Sequence, residues 1–331
     1  MEDRFKQETE RLTKSWMKYG RTTLRNYLVQ DVEDPRINVQ SILTRHFLIE
    51  RLFGEQFDEL MRHELRFSLV MNWLLKLLKQ QIKVGQLQAI LDALITKETE
   101  AEGIEIPSYI SDTFATLALP NYICDVLNWT PVESTDEPIP EHLLSTFQRI
   151  WSEVIAEEQP QRISVLEPAC GSANDYRFIE SFGISRFIDY TGFDLCEKNI
   201  HNARQMFPEV DFKTGNILEI QAEDNTLDYC IVQDIFEHLS LEAMEVAISE
   251  ICRVTRQGIC AGFFNMYESQ EHIIKTVDDY HWNKLSLIGT KAIFEQYASE
   301  VNTIHIDKFL ATQFDYHDIH NRDAYTFIIN I

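Results

Sequence analysis

The pattern of apolar and polar residues changes near Arg162, which divides the chain into two parts. Before this residue, apolar residues recur at three- and four-residue steps, as in amphipathic helices. The clearest stripe consists of Leu60, Met61, Phe67, Met71, Leu74, Leu75, Leu78 and Ile82. Because an apolar stripe needs a partner surface, we expect it to pack on the second part of the chain, on a second subunit, or over a ligand as a lid.

Glycine, proline and charged segments divide the first part into separate helices. The helical pattern is interrupted at DPR (residues 34–36), at Gly54 and at Gly85. The charged residues 97–107 predict an exposed connection, followed by two further short helices. A proline-rich linker is expected at residues 131–142, before a helix over Leu143–Glu157. The pattern therefore predicts an all-α N-terminal region over residues 1–150.

From Arg162 onward, short β-rich runs alternate with helical patterns. These runs are RISVLE, IDYTGFD, VDFKTG, TLDYCIVQ, GICAGFFNM, Val301–Ile306 and Tyr325–Ile331. An amphipathic helix is expected from Leu241 to Ile251, and another over Trp282–Tyr297. Alternation at this spacing implies βαβ crossovers. Residues 151–331 are therefore predicted to form an α/β domain with a doubly wound, mostly parallel seven-stranded sheet.

The first β-rich run leads into a tight turn with the sequence VLEPACGSANDY. In a doubly wound sheet, ligands bind beyond the carboxyl ends of the strands, where backbone N–H groups and helix N-termini face outward. Gly171 supplies conformational freedom, whereas Ala169 and Ala173 keep the turn small without that freedom. Asn174 and Tyr176 stand where a dinucleotide-binding G-x-G-x-x-G turn requires a small residue, which disfavours that type of site.

A carboxylate follows the second β-rich run. Asp194 ends this run, roughly 20 residues past Gly171, where a carboxylate is well placed to accept both hydroxyls of a ribose. Aspartate also favours helix N-termini, so Asp194 can instead begin the following helix, and the two roles are compatible. The spacing indicates a nucleoside-containing ligand.

The segments at the ends of the first four β-rich runs, taken in their order along the chain, resemble the motifs of class I S-adenosylmethionine-dependent methyltransferases. The resemblance puts Glu167 and Gly171 in the first motif, with Ala169 and Ala173 in place of its outer glycines. It implies a methyltransferase-type sheet, S-adenosylmethionine as methyl donor and S-adenosylhomocysteine as product. The cofactor-binding residues that it implies are Glu167, Ala169, Gly171, Asp194, Leu195, Asn216, Ile217 and Gln233.

The implied reaction limits the candidates for catalysis. A methyl group on a sulfonium is already a good electrophile, so the protein mainly aligns a nucleophile with the S–CH3 bond. A hydroxyl, an amine or an acidic carbon must also lose a proton, which calls for a base such as histidine. The candidate bases are His238, in EHLS, and His281, in DDYHWNKLS, although each segment can also simply begin a helix. Candidate substrate-binding residues are Tyr176, Tyr280, Trp282 and Asn283.

Composition narrows the range of partners. Against 30 basic residues the chain has 53 acidic ones, giving a formal net charge of −23. This charge repels nucleic acid and anionic lipid, so we expect neither as a partner. With no apolar run of about 18 residues and a charged N-terminus, the protein is expected to be cytoplasmic. No metal is expected, and core positions are predicted for Cys124, Cys170, Cys196, Cys230, Cys252 and Cys260.

The leading functional prediction is methylation of a small metabolite or natural product at oxygen, nitrogen or carbon. The second hypothesis is a protein or peptide methyltransferase, because the acidic surface suits a basic substrate. A third hypothesis is an inactive binding module, since Ala169 and Ala173 replace glycines of the motif. An NAD-dependent enzyme is the least supported. The N-terminal helices also offer a surface for a homodimer.

Overall fold

The computed structural model of the chain describes residues 5–19, 34–80, 82, 84–115, 139–277 and 280–331. In the N-terminal region the helices are α1 (Lys6–Tyr19), α2 (Val39–Phe53), α3 (Asp58–Lys79), α4 (Val84–Thr96), α5 (Ser108–Ala115) and α6 (Ile139–Val154). The second short helix predicted after residue 107, most of the linker at 131–142 and Cys124 lie outside the described residues. Among those that are described, no helix has the length and apolar character needed to cross a membrane.

The helix boundaries follow the glycine and charge signals of the sequence. Gly54 ends α2 with a φ of 62°, a conformation that glycine adopts without strain. The segment 97–107 is mostly exposed, but it contains a short hairpin in which Glu100–Ala101 pairs with Ile104–Glu105. The last helix of the region, α6, begins at Ile139, so the predicted start at Leu143 was four residues too late.

The second part forms the predicted seven-stranded sheet, which confirms the fold class. Its strands are β1 (Ile163–Pro168), β2 (Ile188–Asp194), β3 (Asp211–Thr214), β4 (Leu227–Gln233), β5 (Thr255–Phe263), β6 (Glu300–His305) and β7 (Tyr325–Asn330). Their order across the sheet is β6-β7-β5-β4-β1-β2-β3. Strand β7 runs antiparallel to β5 and β6, and the other pairings are parallel. The order reverses at β1, which places a ligand crevice beside that strand.

The helices of the second part are α7 (Asn174–Ser181), α8 (Glu197–Met206), α9 (Leu241–Val254), α10 (Leu287–Phe294) and α11 (Ile306–Phe314). The predicted helix over Trp282–Tyr297 was wrong at both ends. Residues 280–281 and 285–286 are short strands instead, and the hydroxyl of Ser286 accepts a hydrogen bond from the backbone N–H of Gly289 at 2.9 Å. Because Ser286 is an N-cap, α10 begins one residue later.

The apolar side chains of the strands alternate between two cores. Tyr229 and Ile231 of β4 belong to one cluster, whereas Cys230 and Val232 belong to the other. The first cluster also contains Phe47 of α2, whose ring meets that of Tyr229 with centroids 5.6 Å apart. The N-terminal helices therefore share a core with the sheet of the same chain. A homodimer through these helices stays a prediction.

A buried ion pair holds α2 and α3 together and fixes the loop before α2. Arg45 and Glu64 pair at 2.5 Å, and Glu64 also contacts Nε2 of His46 at 2.8 Å. Burial favours neutral Glu64, but the charge of Arg45 and the contact with His46 outweigh it and lower the pKa of Glu64. The Arg45 guanidinium also donates to the carbonyl groups of Pro35 and Arg36, each at 3.2 Å. This pair thereby positions the loop that borders the cavity described next.

Candidate functional site

A cavity of about 780 Å³ opens at the carboxyl ends of the central strands. Its walls come from the loops after β1 to β5 with Trp282, from the N-terminal region (Thr9 of α1, the loop before α2, α2 and α3), and from the segment between β6 and β7. Lining residues from these parts include Ala169, Leu195 and Asp234, then Asn38, Val39 and Leu69, and finally Ile306, Leu310 and Tyr316. The crevice at the reversal of strand order is thus closed over by segments from both ends of the chain.

The loop after β1 has the backbone of a glycine-rich turn although two of its positions are alanine. The φ angles of Ala169, Gly171 and Ala173 are 57°, 57° and 63°. A left-handed conformation costs a residue with a side chain about 1–2 kcal/mol. The alanines were expected to lack this freedom, yet they adopt the conformation, because the surrounding structure imposes it. The turn is held against the end of β2, where the N–H of Cys170 donates to the carbonyl of Phe193 at 3.0 Å.

Two carboxyl groups anchor the first two loops. Glu167 is buried at the end of β1 and accepts a hydrogen bond from the Tyr190 hydroxyl at 2.5 Å. Burial, with the charge of Asp175 adding to it, raises the pKa of Glu167 well above its ordinary value. Asp194 accepts from the N–H groups of Gly171 at 3.0 Å and Cys196 at 2.8 Å. The Asp194 side chain thus ties the β1 loop to the β2 loop.

Asp194 is not the N-cap of α8, since that position belongs to Cys196. It binds Nδ2 of Asn199, in the first turn of the helix, at 3.2 Å. Burial raises the pKa of Asp194, and its three donors oppose the shift. Asp194 therefore helps to hold the start of α8, the second role that the sequence allowed, and it also lines the cavity.

All eight predicted cofactor residues line this one cavity: Glu167, Ala169, Gly171, Asp194, Leu195, Asn216, Ile217 and Gln233. Asn216 fixes its own loop, because its Oδ1 accepts from the N–H of Leu218 at 3.0 Å. Gln233 donates to the hydroxyl of Thr44 at 3.0 Å, which joins the end of β4 to α2. The structure thus gathers these eight residues from four separate segments of the chain.

His238 reaches the cavity with a defined orientation. Its Nδ1 lies 3.0 Å from the backbone carbonyl oxygen of His281. A carbonyl only accepts hydrogen bonds, so Nδ1 carries the proton and Nε2 of the neutral ring carries the lone pair. Burial lowers the pKa of His238, which favours this neutral form. The ring lies among those of Phe264, Tyr280 and Trp282, with centroids 5.3 to 5.7 Å away.

A buried carboxyl group holds the segments around His238 together. Glu237 is fully buried, and its Oε1 accepts from the N–H groups of Phe264 at 2.7 Å and Asn265 at 3.1 Å. The backbone carbonyl of Glu237 accepts from the N–H of Asn283 at 2.9 Å. Burial, with the charge of Asp234 adding to it, raises the pKa of Glu237 to about 8. Glu237 is therefore a neutral acid near pH 7 that fixes two neighbouring segments.

The other predicted residues fall into two groups. Trp282 lines the cavity, and Tyr280 touches the His238 ring without lining the cavity. The His281 imidazole, Asn283 and Tyr176 do not line it. The catalytic role of His281 and the substrate-binding roles of Asn283 and Tyr176 stay predictions.

Their contacts explain these positions. Asn283 is fully buried, donates to the carbonyl oxygen of Leu239 at 2.7 Å and accepts from the N–H of Lys275 at 3.1 Å. The ring of Tyr176 packs in the core, 4.6 Å from that of Tyr190. Both side chains are therefore held by neighbouring groups of the protein.

Two acidic residues line the cavity that were not selected from the sequence. Asp234, directly after β4, has a φ of 53° and accepts from Nε2 of Gln40 at 3.3 Å. Although its side chain opens to the cavity, the protein around it and the charge of Asp175 raise the pKa of Asp234 to about 7. Asp175 lies in the first turn of α7, where burial raises its pKa to about 6. An acid immediately after a central strand was the sequence signal that could have identified Asp234.

Part of the second region of the chain matches a known protein family. Residues 165–258 match the family described as "Methyltransferase domain". A Mycolicibacterium smegmatis protein named a "Probable S-adenosylmethionine-dependent methyltransferase" is 32% identical over 98 residues, which are 28% of this chain and 34% of that protein. The match thus spans about a third of the relative's length.

Within the described part of the chain, no group of three or more His, Cys, Asp or Glu residues could hold a metal ion.

Solved structures with similarity to this chain have low sequence identity. A structure of S-adenosylmethionine-dependent methyltransferases from Methanosarcina mazei has a TM-score of 0.41 and 11% identity, covering 54% of this chain and 96% of that one. A protein from Pyrococcus horikoshii OT3 has a TM-score of 0.39 and 16% identity, covering 64% and 99%. Similarities at this level carry no argument about function.

Proposed function

Because residues 165–258 belong to a class I methyltransferase domain, as the resemblance predicted, we propose that the protein transfers a methyl group from S-adenosylmethionine to a small molecule. One observation carries the proposal. The eight predicted cofactor residues line a single cavity, together with His238 and with side chains from the N-terminal helices. That cavity offers room for a donor and an acceptor side by side.

The residues present fit the proposed cofactor. Asp194, which lines the cavity at the end of β2, is the acceptor we assign to the ribose hydroxyls, with Asn216 and Ile217 beside adenine. Asn174 also lines the cavity, and its Oδ1 is buried with no hydrogen-bond partner among the described residues. A buried acceptor without a donor is costly, and the ammonium group of a methionine moiety supplies a donor. The β1 loop and Asn174 would therefore hold the methionine end.

Bound there, S-adenosylmethionine supplies an electrophilic methyl group. The chain's own residues then orient the acceptor, exclude water and take up a proton. We assign proton removal to Nε2 of His238, because the hydrogen bond from Nδ1 to His281 leaves the lone pair on Nε2. The rings of Phe264 and Trp282, whose centroids are 5.0 Å apart, line the cavity near this base. They supply an apolar wall for the acceptor.

The size and walls of the cavity support a small-molecule acceptor. Its volume of about 780 Å³ lies within the range of roughly 300–1,000 Å³ found for small-molecule sites. Apolar side chains from three separate segments, among them Leu69, Ile306 and Leu310, close around it. A polypeptide acceptor would need an open groove, whereas segments from both ends of the chain cover this site.

Calorimetric titration tests the proposal. The full chain is titrated with S-adenosylmethionine and, in parallel, with NAD. We expect micromolar binding of S-adenosylmethionine alone, and methylated products 14 mass units heavier than their acceptors when a panel of small molecules is incubated with the protein. Binding of NAD alone, or of neither compound, would contradict a methyltransferase that uses this cavity. Binding of S-adenosylmethionine without transfer to any acceptor would favour an inactive binding module.

A further inference from the structure

The ionisable groups that line the cavity are mainly carboxyl groups. Its lining includes four carboxyl groups, from Glu167, Asp175, Asp194 and Asp234, and among the described residues it includes no lysine or arginine. A low-dielectric cavity lined by one sign of charge concentrates the field and favours ligands of the opposite sign. The net charge of −23 adds to this preference.

The carboxyl groups differ in how far the protein already satisfies them. Glu167 bonds to Tyr190, and Asp194 accepts three hydrogen bonds at the cofactor loops. Among the described residues, Asp234 accepts one long bond, 3.3 Å from Gln40, and it stands after β4 on the His238 side of the cavity. Asp175, in the first turn of α7, accepts no side-chain hydrogen bond among the described residues, but it stands beside the cofactor loop after β1. Asp234 is therefore the weakly bonded carboxyl group on the His238 side, where a second ligand would lie.

Resting on the proposed function, we propose that the methyl acceptor is a small apolar amine that binds as its ammonium ion with Asp234 as counter-ion. The reaction is thus an N-methylation. Two independent features point to this class of acceptor: the carboxyl group of Asp234, and the aromatic rings that line the same cavity.

The aromatic rings form the second feature. Phe264 and Trp282 line the cavity beside His238, and each ring lies within 5.4 Å of the His238 ring, measured between centroids. The faces of tryptophan and phenylalanine attract cations, more strongly where water is excluded. A carboxylate combined with aromatic faces is suited to an ammonium ion whose carbon substituents are apolar. An acceptor bearing a carboxylate or a phosphate finds no lysine or arginine among the described lining residues.

The electrostatics of the cavity agree with a cation as ligand. The protein around Asp234 and the charge of Asp175 raise the pKa of Asp234 to about 7, so its ionised form is less favoured than that of an ordinary aspartate. A cation in contact would favour the ionised form. Asp234 adopts a left-handed φ of 53°, which asparagine also tolerates. An Asp234→Asn variant can therefore remove the charge and keep the backbone.

The step balances as a simple displacement. The ammonium group first loses one proton to His238, which leaves a neutral amine with a nitrogen lone pair. This lone pair forms the N–CH3 bond while the S–CH3 bond breaks, and its electron pair stays on sulfur. The products are S-adenosylhomocysteine and a methylated ammonium ion, which Asp234 still neutralises. The His238 proton passes to solvent before the next cycle.

Matched probes test the choice of acceptor. Binding to the full chain saturated with S-adenosylhomocysteine is measured for triplets that carry different polar groups on the same apolar group: 2-phenylethylamine, 2-phenylethanol and 3-phenylpropanoate, with naphthyl and octyl equivalents. We expect the amine to bind at least tenfold more tightly than the alcohol, and the carboxylate to bind most weakly. Asp234→Asn should lower amine affinity at least tenfold and leave alcohol affinity within twofold. Asp112→Asn, the same change at an exposed position on α5, should alter neither.

The outcomes separate this inference from the proposed function. If S-adenosylhomocysteine binds but alcohols or carboxylates bind better than amines, or no amine binds, the amine acceptor is wrong and the methyltransferase remains. If Asp234→Asn binds amines as the unaltered protein does, Asp234 is not the counter-ion. Thermal unfolding of the variant without ligand checks that it is folded. Failure of S-adenosylhomocysteine to bind at all would instead remove the proposed function.

Discussion

The backbone carbonyl oxygen of His281 lies 3.0 Å from Nδ1 of His238. The two histidines were separate candidates for the catalytic base, and the structure connects them in one arrangement. His238 lines the cavity, whereas His281 acts through its main chain and its imidazole lies elsewhere. A carbonyl is retained whichever side chain stands at position 281, so substitutions at the two positions should have different effects.

Replacing His238 should reduce methyl transfer far more than replacing His281. The His238→Asn amide can still donate to the His281 carbonyl, but it cannot take up a proton. We expect kcat to fall about 10²- to 10⁴-fold, the usual contribution of a general base. The affinity for S-adenosylhomocysteine should stay within twofold. The matched control, His281→Ala, should keep kcat within about threefold, and equal losses in both variants would contradict the assignment.

Asp194 should be required for cofactor binding. Asp194→Ala removes the proposed ribose acceptor and the hydrogen bonds from Gly171 and Cys196, so the loops after β1 and β2 are no longer joined. We expect the affinity for S-adenosylhomocysteine, measured by calorimetry, to fall at least tenfold. Asp189→Ala is the control, since Asp189 is exposed on the same strand and pairs with Arg162. Unchanged affinity in Asp194→Ala would remove the ribose assignment.

Stability should depend on pH through Glu237. Its pKa rises from 4.5 to about 8 on folding, because burial disfavours the charged form. The stability that this group contributes is therefore complete below about pH 4.5 and is lost as the pH rises through about 8. One proton corresponds to a slope of about 1.4 kcal/mol per pH unit at most. Urea unfolding between pH 5 and pH 9 measures this slope.

Glu237→Gln should flatten that dependence. The amide stays neutral at every pH, and its oxygen can still accept from the N–H groups of Phe264 and Asn265. The exposed Glu223 provides a control, and Glu223→Gln should leave the slope unchanged. Identical slopes in the unaltered protein and in Glu237→Gln would show that Glu237 is ionised in the folded protein at neutral pH.

Glycine at position 169 should be tolerated unusually well. Ala169 has a φ of 57°, which strains alanine by about 1–2 kcal/mol, and relief of this strain offsets the greater entropy of glycine in the unfolded chain. We expect Ala169→Gly to leave the free energy of unfolding within about 0.5 kcal/mol of the original value or to raise it. Ala292→Gly, at an exposed position of α10, should lower it by about 1 kcal/mol. Equal destabilisation would contradict strain at Ala169.

Local sequence patterns were enough to predict the fold class and the residues on the cofactor side of the cavity. The alternation in β4, where Tyr229 and Cys230 face different cores, follows from the two-residue period of a strand and needs no distant partner. The positions of Gly171 and Asp194 relative to their strands have the same local origin. Parallel strands present their carboxyl ends at one edge, so these residues converge wherever such a sheet forms.

Which side chains meet at the acceptor side depends on tertiary packing. No sequence pattern indicated that the carbonyl of His281 orients His238, that Asn283 is buried, or that Gln40 of α2 reaches Asp234 at the end of β4. Each of these contacts joins segments far apart in the chain. They depend on how helices and loops pack over the sheet, which apolar periodicity restricts to a face but not to a partner.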